Sequence, residues 1–162
     1  MKAFLKILGH IWLLPVSLVS AIYIGGLWAF RQVRFVEASL DFVEFRTVKG
    51  TWLSKTLEGN DNEPGDPGWL GWSSGAFIVL RHDAGGERTI PHESRHVKQQ
   101  MIFGILSPFL YFLISIFIFC FMRNLHSYYD NPFEVDARRF AGQRVKIPRE
   151  AWGDPNDRWA WW

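Results

Sequence analysis

The sequence predicts a small α+β domain attached to a membrane, and three features lead to this prediction. Residues 92–96 carry two histidines and a glutamate at the spacing that one helical face uses to bind a metal ion. Residues 75–81 form a short apolar run bounded by glycine, which is typical of a buried strand. Residues 7–30 and 101–122 lack Asp, Glu, Lys and Arg, and each run is long enough to enter or cross a bilayer.

With 162 residues and a formal net charge of +2, the chain has the length of one domain and no strong charge imbalance. We divide it into a membrane anchor, residues 1–32, a central domain, residues 33–147, and a tryptophan-rich tail, residues 148–162. No basic run or aromatic-basic repeat is present, so we expect no nucleic-acid partner. The single cysteine, Cys120, excludes an internal disulfide.

The first apolar run, residues 7–30, matches the length that spans a hydrocarbon core of about 30 Å. Lys6 precedes the run and Arg31 follows it, so the flanking charges do not fix an orientation. A cleaved signal peptide is the competing interpretation, but the run is long and lacks a small-x-small cleavage site. We therefore predict an uncleaved transmembrane anchor in contact with membrane lipid.

Between the anchor and the metal motif, the pattern predicts several elements. The first part of residues 33–57 mixes apolar and charged positions in a way that fits an amphipathic helix continuing from the anchor. Residues 45–52 are predicted as a strand. Residues 59–68 are rich in Gly, Pro, Asn and Asp and are predicted as an exposed loop. His82 follows the strand at residues 75–81, and we interpret it as a turn residue without a metal role.

The central motif is His92-Glu93-x-x-His96. On a helix, residues four apart lie on one face, about 40° apart around the axis, so both imidazoles can reach one tetrahedral Zn²⁺. Glu93 would then lie beside the open position and act as general base toward a bound water. Pro91 suits the start of the helix, because its missing N–H would have no partner there.

A third ligand is predicted in the second half of the chain. Asn131-Pro132 marks the start of a helix, and Glu134 lies in its first turn. The small residue Ala137, one turn further on, allows another helix to pack closely. Two histidines and a glutamate from a separate helix form a known catalytic zinc ligand set. The alternative role for Glu134 is favourable charge at a helix N-terminus.

These two motifs resemble those of small zincin-like metallopeptidases of bacteria and phages, and more distantly the membrane-embedded gluzincins that include the CAAX prenyl proteases and the HtpX heat-shock protease. The resemblance covers roughly residues 69–142. It implies a minimal zincin-like domain, with zinc ligands His92, His96 and Glu134 and with Glu93 as general base. It also implies that the strand before the metal helix is an edge strand that aligns a peptide substrate.

The chain departs from the larger family at one position, since Arg138 stands where an aspartate normally orients a ligand histidine. Asp136 or Asp130 is the candidate to replace it. Tyr128 and Tyr129 precede the second motif, and either is a candidate donor to the oxyanion of a tetrahedral intermediate.

The apolar run at residues 101–122 separates the two motifs, and this constrains its path. A full crossing would place His96 and Glu134 on opposite sides of the membrane, where they could not share a metal. We therefore predict that the run turns back as a re-entrant or interfacial helical insertion, with a break at Pro108. The active site then lies at or near the membrane surface.

The sequence thus predicts a membrane-associated zinc metallopeptidase that hydrolyses peptide or protein substrates through a zinc-activated water. The expected location is a bacterial inner membrane or a phage-associated membrane. The tryptophan-rich tail is expected to anchor at the interface or to contact a protein partner. The alternative is a membrane-embedded structural or virion assembly protein that keeps a zincin-like fold without catalysis.

Overall fold

A computed structural model describes residues 2–58 and 69–151, and it shows a mixed α+β architecture. The predicted α+β class is confirmed, while the zincin-like arrangement stays a prediction. The predicted loop at residues 59–68 and most of the tryptophan-rich tail lie outside the described residues. The elements are α1 Lys2–Ala29, β1 Val33–Ala38, β2 Val43–Thr47, α2 Trp52–Glu58, β3 Gly71–Ser74, β4 Phe77–Leu80, α3 Gly86–Phe103, α4 Ser107–Phe121 and α5 Pro132–Phe140, with short 3-10 turns at Gly104–Leu106 and Arg149–Ala151.

The four strands form one sheet in the order β1-β2-β4-β3. β2 and β4 are parallel, and the two outer pairs are antiparallel. The strand predicted at residues 75–81 is confirmed as β4, but the prediction that it is an edge strand is wrong. The edge strand on that side of the sheet is β3. Its sequence, Gly-Trp-Ser-Ser, lacks the apolar run that predicts a strand.

The prediction of an amphipathic helix in the first part of residues 33–57 is also wrong, since this region forms the β1–β2 hairpin. Ser39 organises the turn: its hydroxyl accepts hydrogen bonds from the backbone N–H groups of Asp41 and Phe42, and its own N–H donates to the Phe42 carbonyl. Phe35 and Phe45 pair directly across the strands, with ring centroids 5.8 Å apart. Such cross-strand aromatic pairs stabilise a hairpin over a helix.

The sheet buries apolar side chains on both faces, and α1 contributes to both. On one face Leu13 of α1 and Val97 of α3 pack against Ile78 and Leu80. On the other face Ile24 and Leu27 of α1 and Leu53 and Leu57 of α2 pack against Val33 and Val79. The tip of the β3–β4 hairpin touches the middle of α1, where Ser20 and Ser74 share a hydrogen bond of 2.7 Å.

The apolar run between the two motifs is not one straight helix. Gly104 ends α3 with φ 57° and ψ −137°, a conformation that L side chains rarely adopt. A Cβ atom at Gly104 would lie 2.3 Å from the Trp12 ring nitrogen, so the close approach to α1 also requires glycine. Pro108 stands in the first turn of α4, so the break is at Gly104 and the predicted break at Pro108 is wrong.

Two stretches, Phe4–Ala29 and Gly86–Phe121, are long and apolar enough to cross a membrane. Few of their apolar positions are buried by the rest of the chain, which supports membrane association. α4 itself has 15 residues and is about 22 Å long, shorter than a hydrocarbon core of about 30 Å.

We expect Gly104→Ala to destabilise the protein more than Gly142→Ala does. Both glycines have positive φ, 57° and 64°, but a Cβ atom at Gly142 meets nothing within 4 Å. Gly142→Ala should therefore cost about 1 kcal/mol of backbone strain. Gly104→Ala should add about 1–3 kcal/mol of overpacking against Trp12. Thermal unfolding in detergent measures both variants.

In a Trp12→Ala background, Gly104→Ala should cost less than it does in the wild type, because the overpacking against the Trp12 ring is relieved. Equal losses for the two single variants would contradict the proposed contact between the turn and α1.

Candidate metal centre

His92, His96 and Glu134 converge at one point between α3 and α5. The Nε2 atoms of the two histidines are 3.2 Å apart. Glu134 Oε2 lies 3.3 Å from His92 Nε2, and Glu134 Oε1 lies 3.2 Å from His96 Nε2. His92 and Glu134 are buried and His96 is partly buried. These three residues form a group that could hold a metal ion.

The spacing of the ligand atoms is close to that around a tetrahedral metal. Ligand atoms held about 2.0–2.2 Å from a tetrahedral centre lie about 3.3–3.6 Å from each other. The two Nε2 atoms are 3.2 Å apart, and each lies 3.2–3.3 Å from a different oxygen of the Glu134 carboxylate. The second carboxylate oxygen of Glu134 is buried and accepts no hydrogen bond from the described residues. A bound cation would satisfy that oxygen.

The tautomer of His96 is fixed by Gln99, one turn of helix further on. The Gln99 side-chain Nε2 donates to the Phe133 carbonyl at 3.0 Å and to Asp136 Oδ2 at 2.8 Å. Its Oε1 must therefore face His96 Nδ1, 2.8 Å away, and can only accept a hydrogen bond. His96 Nδ1 thus carries a proton, and Nε2 is the ring nitrogen that faces the centre and could bind a metal.

His92 is oriented in the same way from a different part of the chain. Its Nδ1 lies 2.9 Å from the side-chain Oε1 of Gln143, just beyond α5. The Gln143 side-chain Nε2 in turn faces the Arg88 carbonyl at 3.4 Å. Both imidazoles therefore direct their Nε2 atoms at each other and at the Glu134 carboxylate. Two imidazole nitrogens and a carboxylate that converge in this way, with their other ring nitrogens held by side-chain amides, are an arrangement that can bind a metal.

Glu134 remains ionised despite its burial. Burial alone would raise the pKa of the Glu134 carboxyl, but the neighbouring His92 and His96 hold this pKa well below its usual value. Asn131 fixes the start of α5 by accepting a hydrogen bond from Phe133 N–H. The Asn131 side chain also donates to Ser115 Oγ on α4 at 2.8 Å. The helix that carries Glu134 is therefore anchored to α4 through its N-cap residue.

Glu93 lies on α3 between the two histidines, and it is buried. Its carboxylate lies close enough to His92, His96 and Glu134 to interact electrostatically with all three. The Ser73 hydroxyl of edge strand β3 lies beside it. The candidate base predicted from the sequence is therefore at the centre and next to the edge strand β3.

Two tyrosines lie against Glu134. Tyr111 of α4 donates a hydrogen bond from its hydroxyl to Glu134 Oε1 at 3.0 Å. Tyr128, one of the two tyrosines predicted near the site, has its hydroxyl beside the same carboxylate. Tyr111 was missed by sequence reasoning because it lies in an apolar run that predicts only a membrane segment.

The remaining predicted residues lie outside the ligand cluster. Asp136 forms an ion pair with Arg95 at 2.7 Å and reaches His96 only through Gln99. Asp130 accepts a hydrogen bond from His126 N–H in the turn before α5. The Tyr129 ring packs on His126 in that turn.

Arg138, the position that departs from the larger family, also serves this turn. It is buried, and it donates a hydrogen bond to the Tyr129 carbonyl. The orienting role of the missing aspartate belongs here to Gln99 and Gln143. Neither glutamine was predicted from the sequence. The signal for Gln99 was its position three residues after His96, on the same helical face, while Gln143 carries no local signal.

Comparison with protein-family models, curated proteins and solved structures gives no match for this chain. The resemblance to zincins therefore rests on the motif residues, and the metal group is the finding that the structure adds.

We expect Gln99→Met to weaken metal binding by about 10- to 100-fold, as loss of a residue that orients a ligand histidine commonly does. Methionine keeps the length of the side chain and removes its hydrogen bonds to His96 and α5. Competition with a chromophoric chelator measures the affinity for zinc. Gln32→Met, on a glutamine far from the centre, is the control, and an unchanged affinity in Gln99→Met would contradict the assigned role.

Proposed function

We propose that this chain is a membrane-associated zinc metallopeptidase that hydrolyses peptide bonds. The observation that carries the proposal is the convergence of two imidazole nitrogens and one carboxylate, with Glu93 beside them. Membrane association is supported by the two long apolar stretches.

The donor set favours zinc over other common metals. Two imidazoles with one carboxylate suit Zn²⁺, whereas Mg²⁺ and Ca²⁺ prefer sites made of oxygen ligands. Catalytic zinc sites use three protein ligands and leave a position for water or substrate, whereas structural sites use four. Among the described residues no fourth His, Cys, Asp or Glu joins the group. The composition of the site therefore supports a catalytic centre.

A zinc ion bound by these side chains would lower the pKa of a coordinated water and polarise the substrate carbonyl. Glu93 would accept the proton that this water loses on attack and deliver it to the departing amine. Gln99 and Gln143 would hold the two imidazoles in the ligating tautomer through the cycle. Tyr111 would keep Glu134 Oε1 in place by its hydrogen bond.

The edge strand β3 offers a route for a peptide substrate. In an antiparallel pair, backbone groups alternate between facing the partner strand and facing away. The Arg81 N–H bonds to the Leu70 carbonyl, so Gly71 and Ser73 direct their backbone groups away from β4. A substrate paired with these groups would pass Ser73 and reach the Glu93 carboxylate.

The alternative, a structural or virion assembly protein without catalysis, stays a separate prediction. It is motivated by Arg138 and by the small size of the chain, and it predicts either no metal or a site closed by a fourth side chain such as Asp136. Arg138 donates a hydrogen bond to the Tyr129 carbonyl in the turn before α5. Asp136 forms an ion pair with Arg95 and accepts a hydrogen bond from Gln99. Neither observation favours a closed site, and we retain the catalytic proposal.

We expect Glu93→Gln to reduce peptide hydrolysis by about 10²- to 10⁴-fold, since the amide cannot accept a proton. Zinc content should stay unchanged, because Glu93 is not among the three ligands. Cleavage of a fluorogenic peptide library and metal analysis measure the two properties. Glu87→Gln, an exposed glutamate in the first turn of the same helix, serves as the control. Full activity in Glu93→Gln would refute the mechanism.

We expect Glu134→Ala to remove the bound metal. The wild-type protein should contain about one zinc per chain, and the variant should lose most of it because only two ligands remain. Metal analysis of detergent-purified protein measures the stoichiometry, with Glu37→Ala on β1 as the control. Zinc retained in Glu134→Ala would mean that Glu134 is not a ligand, and no zinc in the wild type would refute the proposed function.

A further inference from the structure

The first helix packs against the domain along its whole length. Seven residues spaced three or four apart form one inward face. From the start of the helix to its end, they contact the β1–β2 turn, the apolar cluster around Ile78 and Leu80, the β3–β4 turn, and the apolar cluster around Val33 and Val79. Lys6 pairs with Asp41 at 2.6 Å near one end. Leu27 packs against Val33 near the other end. The inward residues are Lys6, His10, Leu13, Ser17, Ser20, Ile24 and Leu27.

This packing fixes the orientation of the sheet relative to α1. The β1–β2 turn lies beside the start of α1, where His10 contacts the Leu40 carbonyl at 2.9 Å. The opposite ends of β1 and β2 lie beside the end of α1, where Val48 N–H bonds to the Gln32 carbonyl. β1 and β2 therefore run alongside α1 instead of projecting from one end of it.

A transmembrane α1 would then carry the hairpin into the hydrocarbon. β1 is an edge strand, and in the described part of the chain no strand pairs with its outer side. It also exposes Arg34 and Glu37. Open strand edges do not occur in contact with lipid, and exposed charges there are rare. The packing of α1 is therefore incompatible with a crossing, although its length and composition permit one.

The outward face of α1 is nevertheless built for lipid. Its exposed residues are apolar over the length of the helix, and the amphipathic rings of Trp12, Tyr23 and Trp28 suit the headgroup boundary. The close contact between Trp12 and Gly104 joins this face to the exposed Ile105 and Leu106 and so to α4. The exposed apolar residues of α1 include Phe4, Ile11, Leu18 and Ile22.

We propose that this chain is monotopic: α1 lies in the plane of one membrane leaflet, its outward face contacts lipid, and the sheet lies on the aqueous side. The partner of this surface is a phospholipid leaflet, not a second protein helix. Lys6, on the inward face, pairs with Asp41 on the aqueous side of such a helix, so this ion pair stays outside the hydrocarbon. The proposal does not depend on catalysis, since it follows from the packing of α1 alone.

Spin-label depth measurements test the proposal directly. In a Cys120→Ser background, single cysteines replace Phe4, Ile11 and Leu18, which share the outward face at intervals of seven residues. The full chain is bound to vesicles of phosphatidylcholine with a minor share of phosphatidylglycerol. Relative accessibility to oxygen and to a polar nickel reagent reports the depth of each label.

An in-plane helix places the three labels at one shallow depth. A crossing helix separates successive labels by about 10 Å along its axis, so that the depths differ strongly. Equal shallow depths would support the proposal, and a graded profile would overturn it. Labels inaccessible to both reagents would also overturn it, because they would indicate that a second copy or another segment of the chain covers the face.

A second measurement distinguishes the two topologies without touching α1. Asp41→Cys and Lys49→Cys lie beside opposite ends of α1 and outside its lipid-facing surface. An impermeant maleimide added to sealed vesicles should label both to the extent seen after detergent is added. Protection of one site in sealed vesicles would refute the monotopic arrangement.

Discussion

The side-chain amide of Gln99 is the interaction on which the candidate centre depends. It holds His96 through Oε1 and binds the first turn of α5 through Nε2, so one group fixes both a ligand tautomer and the distance between two helices. Because Asp136 and the Phe133 carbonyl are acceptors only, the amide cannot be reversed without losing both contacts. The orientation of the His96 imidazole therefore follows from the docking of α5 on α3.

For α5 to dock on α3, the apolar run between these two helices must turn back toward α3. Gly104 provides the first turn, at the point where the backbone passes Trp12. Asn131 provides the last, by capping α5 and binding α4 at the same time. Between them α4 carries Tyr111 to the carboxylate of Glu134. The run is therefore a structural part of the centre and not only a membrane segment.

The parts predicted correctly from the sequence are those with a local physical cause. His92 and His96 share a face because of helical periodicity. Glu134 lies in the first turn of a helix whose start is predicted by Asn131 and Pro132. The failures involve partners distant in sequence. Helical and strand patterns compete in residues 33–44, and the hairpin prevails through pairing with β2 and contact with α1. Gln143 and Tyr111 reach the centre from 51 and 23 residues away, and no local pattern indicates such contacts.

The same separation between local and distant causes governs the membrane segments. Hydropathy is a local property, and by that criterion α1 is long and apolar enough to cross a membrane. Whether a helix can cross depends also on what is attached to its sides, since a bilayer excludes an open strand edge regardless of how apolar the neighbouring helix is. In this chain the seven inward residues of α1 bind it to a sheet whose edge strand β1 has no partner on its outer side among the described residues. Tertiary packing, and not length, therefore decides between a helix that crosses a membrane and one that lies on it.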